Sequence, residues 1–158
     1  MIRKQADCTQ CRRATGSLAT AYFMVPTEFL VWSESSEAHL KTHLSSDGDV
    51  ERKFCGDCGT PLTFYQLSRA VQLTDCIDII IASLADEDLA RLEDLGIAPT
   101  RAHVWWECGV EWHQRECLRD ARGNGVAVLM TGGAQASMVD LDAELEKAKA
   151  AATVAAGE

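Results

Sequence analysis

The sequence predicts a mainly β domain with short peripheral helices. Three observations carry that expectation: short extended runs rich in aromatic and β-branched residues, turn-forming residues between them, and two Cys-x-x-Cys pairs whose thiols need rigid support. The most constrained stretch is Phe54-Cys55-Gly56-Asp57-Cys58-Gly59-Thr60. Two thiols three residues apart grip one tetrahedral ion only where the backbone turns sharply, and Gly56 and Gly59 supply left-handed or crowded conformations.

The elements are expected in this order. The first pair, Cys8-Thr9-Gln10-Cys11, leads into a polar, turn-prone segment from Arg12 to Ser17. Leu18 to Val25 reads as a strand closed by Pro26, Glu28 to Trp32 as a second, and Ala38 to Leu44 as a third. The Ser45-Ser46-Asp47-Gly48-Asp49 turn delivers the chain into an antiparallel hairpin, Val50 to Phe54 and Pro61 to Leu67, with Cys55 and Cys58 at its tip. Val71 to Leu84 is the most apolar run and reads as the central strand, with Cys76 a buried, inert thiol. Leu89, Leu92 and Leu95 at spacing three, with acidic residues early, predict a short helix ended by Gly96. Arg101 to Trp106 and Val126 to Met130 are further strands, although residues 118–138 show no sustained periodicity. Leu141, Leu145, Ala148 and Ala152 mark a peripheral helix near the C-terminus.

At 158 residues, 47% hydrophobic and 25% charged, the chain has the size and composition of one globular domain. A net charge of −9 disfavours nucleic acid, whose phosphates reward clustered cations. Locally the balance reverses: Arg3, Lys4, Arg12 and Arg13 outnumber Asp7 beside the first thiol pair and offer an attraction for a small anion. Seven cysteines, two pairs of them at metal spacing, suit reduced thiols and a cytoplasmic setting better than a disulfide framework. Residues 1–7 contain no apolar signal region, and no run approaches a membrane span.

Metal binding is the leading reading of the paired thiols. A redox Cys-x-x-Cys is the rival, and it normally opens a helix after a strand, whereas Gly59-Thr60-Pro61 closes a turn. His103, Cys108, His113 and Cys117 form a weaker ligand set, of which His113 and Cys117 would share a face if Glu111 to Leu118 were helical. His39 and His43 are expected to face solvent.

Taken in order, Cys8-x-x-Cys11-Arg12, Thr15-Gly16, Arg52-x-Phe54-Cys55-x-x-Cys58-Gly59-Thr60 and Ala82-Ser83-Leu84 resemble the glutathione-dependent formaldehyde-activating enzyme family, also called the CENP-V/GFA domain, from about Ala6 to about Trp112. The resemblance implies an Mss4-like zinc-binding fold and a carbon–sulfur lyase acting on glutathione, or a similar thiol, and formaldehyde or another aldehyde. It divides the chain into a zinc-binding domain, residues 1–117, and a C-terminal extension, residues 118–158. It also implies Cys8 and Cys11 as ligands of a catalytic zinc, and Cys55 and Cys58 as ligands of a structural one. The first catalytic thiol of the family falls on Ala6, and the upstream Cys-x-Cys of its structural site has no counterpart before Cys8, so the domain is expected to lack the N-terminal strand that carries it. All four thiols on one closed ion is a further arrangement. In the lyase, zinc would lower the pKa of the glutathione thiol or polarise the aldehyde, while Arg12 and Arg13 hold a glutathione carboxylate. The alternative function is a noncatalytic zinc-stabilised β-domain with a structural or interaction role.

Overall fold

The computed structural model describes residues 2–68, 75–92, 94, 102–124, 128–131 and 137–139. The chain is mainly β with short helices and divides into two compact units, residues 1–3 with 21–98 and residues 4–20 with 99–158.

The first unit is an antiparallel sheet in the order β3 (Leu40–Ser45), β4 (Val50–Cys55), β5 (Pro61–Gln66), β6 (Cys76–Ile80), β2 (Thr20–Pro26). β2 and β6 supply much of its buried apolar surface, with Tyr22, Val25, Cys76, Ile77 and Ile80 buried and Tyr22 packed against the Phe64 ring of β5 at 5.8 Å. β4 alternates, with Val50 and Arg52 turned inward. Burial of Arg52 is offset by the Phe64 ring, 4.9 Å from the guanidinium carbon, and by Nε–H donating to Ser45 Oγ at 3.1 Å. β3 pairs with β4 on one side and presents Lys41 and His43 to solvent, charge and polarity that discourage a stray strand from adding there.

Two carboxylates lock the connections. Asp49 follows three residues with positive φ, Ser46, Asp47 and Gly48, and accepts from Gln66 Nε2 and from both the amide and hydroxyl of Ser68. Asp75 accepts from Thr27 Oγ1 at 2.7 Å and Tyr65 OH at 2.8 Å, tying the start of β6 to the ends of β2 and β5. These bonds hold both carboxyl groups below the usual carboxylate range, through Gln66 chiefly at Asp49 and Thr27 chiefly at Asp75.

Several elements differ from expectation. Glu28 to Trp32 is not a strand: Thr27 is turned by its bonds to Asp75, Thr27–Phe29 forms a 3-10 turn, and Phe29 and Val31 are left 73% and 83% exposed. A short helix (Glu34–Glu37), capped by the Ser33 hydroxyl, occupies the space before β3. The central strand is shorter than expected, because Ser83 Oγ donates to the Ile80 carbonyl and Ile81–Ser83 tightens into a 3-10 turn. The front of that expected strand, residues 71–74, lies outside the described residues. The helix Asp86–Arg91 follows with three acids in its first turn, where the helix dipole favours them. Gly96, its expected end, lies outside the described residues.

In the second unit the end of β1 (Ile2–Ala6) runs parallel to β7 (Ala102–Val104), with Gln5 opposite His103 and Ala6 opposite Val104. β7 is parallel to β8 (Val128–Thr131), which pairs antiparallel with β9 (Ser137–Val139). The strand expected to reach Trp106 stops at Val104, since Trp105 takes φ +59 and Trp106–Cys108 forms a 3-10 turn. Beyond it a longer helix (Glu111–Asn124) runs into the first third of the stretch in which the sequence shows no sustained periodicity, opened by an Arg115–Glu111 ion pair at 2.7 Å. The core of this unit contains Ala6, Cys11, Val104, Trp106 and Leu118. The expected C-terminal helix at Leu141 to Ala152 lies outside the described residues.

Candidate functional site

The Arg12-to-Ser17 segment, expected as a turn, is largely the body of a helix, α1 (Thr9–Thr15). Its ends explain why. Cys8 is the N-cap, with extended backbone (φ −64, ψ 146) and Sγ accepting the Cys11 amide at 3.2 Å, while Gly16 closes the helix with φ +69 and donates its amide to the Arg12 carbonyl. Thr15 Oγ1 then bonds the Cys11 carbonyl at 2.9 Å and meets Thr20 Oγ1 at 2.7 Å, fixing where the chain turns into β2. The first thiol pair therefore opens a helix directly after a strand.

Cys8 is half-buried and Cys11 buried. Arg12, on the same turn, is half-buried, and its Nε–H lies out of solvent with no acceptor among the described residues; Arg13 is exposed. Next to the pair in the chain sits a constellation that the sequence did not disclose. Asp7, fully buried, places Oδ2 2.9 Å from Nδ1 of buried His103, and its amide donates to the Val104 carbonyl. Asp7 Oδ1 has no partner among the described residues, and the Trp106 ring stands edge-on to the imidazole at 5.3 Å.

The second thiol pair sits at the β4–β5 hairpin tip, as expected. Cys55 donates its amide to the Thr60 carbonyl, and its own carbonyl accepts the Gly59 amide, both at 2.9 Å, with Gly59 at φ +77. Gly56 is the crowded one: a Cβ there would lie 2.9 Å from the His39 carbonyl oxygen, which accepts the Gly56 amide at 2.7 Å. His39 and His43 are exposed as expected, and His39 also pairs with Asp57 at 2.5 Å. Cys58 Sγ lies 3.0 Å from Thr60 Oγ1, and hydrogen bonds from the Thr60 hydroxyl first, its amide second and Cys55 third pull the Cys58 thiol down from its ordinary value.

The weaker set is resolved as well. The helix Glu111–Asn124 does bring His113 Nε2 within 3.6 Å of Cys117 Sγ, while His103 is engaged by Asp7 and Cys108 is exposed, its thiol pushed up by desolvation first and by Glu107 second. Cys76 is buried, in keeping with its expected role as a core thiol.

Zinc asks more of these donor sets than they supply. Even an open catalytic zinc takes three protein ligands. Among the described residues no three His, Cys, Asp or Glu side chains gather where they could hold an ion, so Cys8 with Cys11, and Cys55 with Cys58, each stop at two sulfurs. The position of Ala6 adds a buried methyl. The donors among the described residues do not complete a zinc site in either unit.

A β-sheet protein that sets one dithiol at a helix start, followed by paired arginines, and another at a hairpin tip defines the class. The sequence model of the glutathione-dependent formaldehyde-activating enzyme family matches residues 1–108, and the chain belongs to that family. A crystal structure of a Rhodobacter sphaeroides protein is similar at 19% identity, covering 55% of this chain and 74% of that one with a TM-score of 0.41. A search of curated proteins finds no significant match. No helix among the described residues is long and apolar enough to cross a membrane.

Proposed function

We propose that the chain binds glutathione, or a thiol like it, and makes or breaks the carbon–sulfur bond between that thiol and formaldehyde or a related small aldehyde. Family membership supports the reaction class. The observation that carries the binding part is Arg12: its Nε–H is out of solvent with no acceptor among the described residues, which is costly, and a carboxylate is the acceptor whose planar geometry a guanidinium matches. Arg13, exposed one residue on, adds attraction for the same anion. The helix places both arginines immediately after the Cys8–Cys11 pair.

In the bond-forming direction the thiol sulfur attacks the aldehyde carbon, the carbonyl π pair moves to oxygen, and the thiol proton ends on the new hydroxymethyl oxygen. Cleavage is the reverse. Arg12 and Arg13 orient the thiol by its carboxylate and bring the partners together, which is a contribution to rate in its own right.

No step is routed through zinc. Cys8, Cys11, Cys55 and Cys58 remain the residues to assay for metal, and a two-sulfur grip leads us to expect less than one tightly held ion per purified chain. Calorimetric titration with glutathione tests the binding. Arg12→Gln should weaken it about tenfold or more, the loss of roughly one charge-assisted hydrogen bond. Unchanged affinity in Arg12→Gln and Arg13→Gln together would remove the assignment.

A second reading, a noncatalytic β-domain with a structural or interaction role, is favoured by the lack of a third donor near either thiol pair among the described residues. A reducing, cytoplasmic setting, to which the number and spacing of the cysteines point, fits either reading.

A further inference from the structure

We infer that residues 30–33 form a docking edge, to which an extended segment of another protein, with apolar residues alternating with Lys or Arg, adds as a β-strand. Phe29-Leu30-Val31-Trp32 has the composition of a strand, yet it joins no sheet among the described residues. The backbone is extended at Leu30 (φ −96, ψ 111) and again at Ser33 (φ −72, ψ 148). Leu30 donates its amide to the Thr27 carbonyl, while Val31 and Trp32 make no backbone hydrogen bond among the described residues. Phe29 and Val31 are 73% and 83% exposed and Leu30 and Trp32 half-buried, the alternation of a strand with one face bare. Both ends are fixed: the Thr27 amide and hydroxyl bond Asp75 on one side, and the Ser33 hydroxyl caps the helix Glu34–Glu37 on the other. A segment already held in place loses little conformational freedom when a partner adds to it.

Charge selects the partner. No Lys, Arg or His occurs between Arg13 and His39, whereas Glu28, Glu34 and Glu37 in that span are all exposed. A strand carrying cations meets these carboxylates favourably, and its apolar residues cover Phe29 and Val31. A second copy of this chain is a poor occupant, because two-fold antiparallel pairing about Val31 sets Glu28 of one molecule opposite Glu34 of the other. The edge belongs to the first unit, and its pairing is independent of the carbon–sulfur chemistry, whose arginines lie in the second.

The test adds a short fluorescent peptide alternating Lys and Val to the full chain, reads anisotropy, and follows amide hydrogen exchange in parallel. The expected result is saturable binding, slowed exchange at Val31 and Trp32, and affinity that falls several-fold as NaCl rises from about 50 to about 500 mM. A matching peptide alternating Glu and Val should not bind. Val31→Pro removes the amide donor where Leu30 already has the extended backbone a residue before proline requires, and it should weaken binding about tenfold or more. Glu28→Gln with Glu34→Gln leaves the backbone donors in place and should flatten the salt dependence. No binding up to about 1 mM Lys–Val peptide, equal binding of the Glu–Val peptide, or binding that leaves exchange at Val31 and Trp32 unchanged would each overturn the inference. So would sedimentation showing a dimer strengthened by salt and abolished by Val31→Pro, since the occupant would then be a second copy.

Discussion

Asp7 and His103 lie 96 positions apart in the chain, yet Oδ2 of one stands 2.9 Å from Nδ1 of the other with both side chains buried. The bond joins the residue that precedes the Cys8 cap to the middle of β7, so the position of the first thiol pair depends on it. Truncation by Asp7→Ala strands the imidazole nitrogen and should cost about 1.5–3 kcal/mol in urea unfolding, the range for a hydrogen bond to a charged group. Asp7→Asn, which keeps an acceptor, should cost less. Equal and negligible losses in both would mean that the pair contributes nothing to holding the second unit together.

The two glycines of the hairpin tip should fail differently. Gly59 has open space where an added methyl would sit but takes φ +77, so Gly59→Ala should cost about 1–2 kcal/mol from backbone strain alone. Gly56→Ala drives a methyl against the His39 carbonyl and should cost more, with loss of the His39–Asp57 pair. Thermal unfolding of the two variants checks the order.

Thiol reactivity should follow the local hydrogen bonds. Cys58, lowered by Thr60, carries more thiolate near neutral pH than Cys108, which is raised, although both are exposed. Iodoacetamide should therefore label Cys58 before Cys108, and Thr60→Val should slow Cys58 while leaving Cys108 unchanged. Peptide mapping over time reads both rates.

Acid should loosen the first unit through Asp49 and Asp75. Their folded pKa values lie below the unfolded value of about 3.9, so the stability they contribute is complete above that pH and lost as pH falls through the lower folded values. Melting temperature should drop below about pH 4, and Asp75→Asn should flatten part of that drop. An unchanged acid limb in the variant would show that Thr27 and Tyr65 do not favour the charged form.

Much of the first unit was legible. The hairpin from Val50 to Leu67 announces itself by alternation and by the Ser-Ser-Asp-Gly-Asp turn, and the Cys55–Cys58 tip follows from its glycines. Phe29-Leu30-Val31 misled because hydrophobicity and β-propensity speak for a strand, while a strand also needs a neighbour; the Asp75 clasp on Thr27 turns the chain away first. α1 was missed for a related reason. A seven-residue helix leaves too little periodicity to read, and its N-cap is a cysteine rather than the usual Ser, Thr, Asp or Asn. The Asp7–His103 contact had no local signal at all, because only the parallel pairing of β1 with β7 brings those positions together.

The reaction itself is tested most directly at equilibrium, by measuring with exchange NMR how fast formaldehyde moves between its hydrate and the glutathione adduct. With the purified chain present the exchange should accelerate in proportion to protein concentration, and Arg12→Gln should remove most of the gain. An exchange rate equal to the spontaneous one at every protein concentration would contradict the carbon–sulfur bond-making activity.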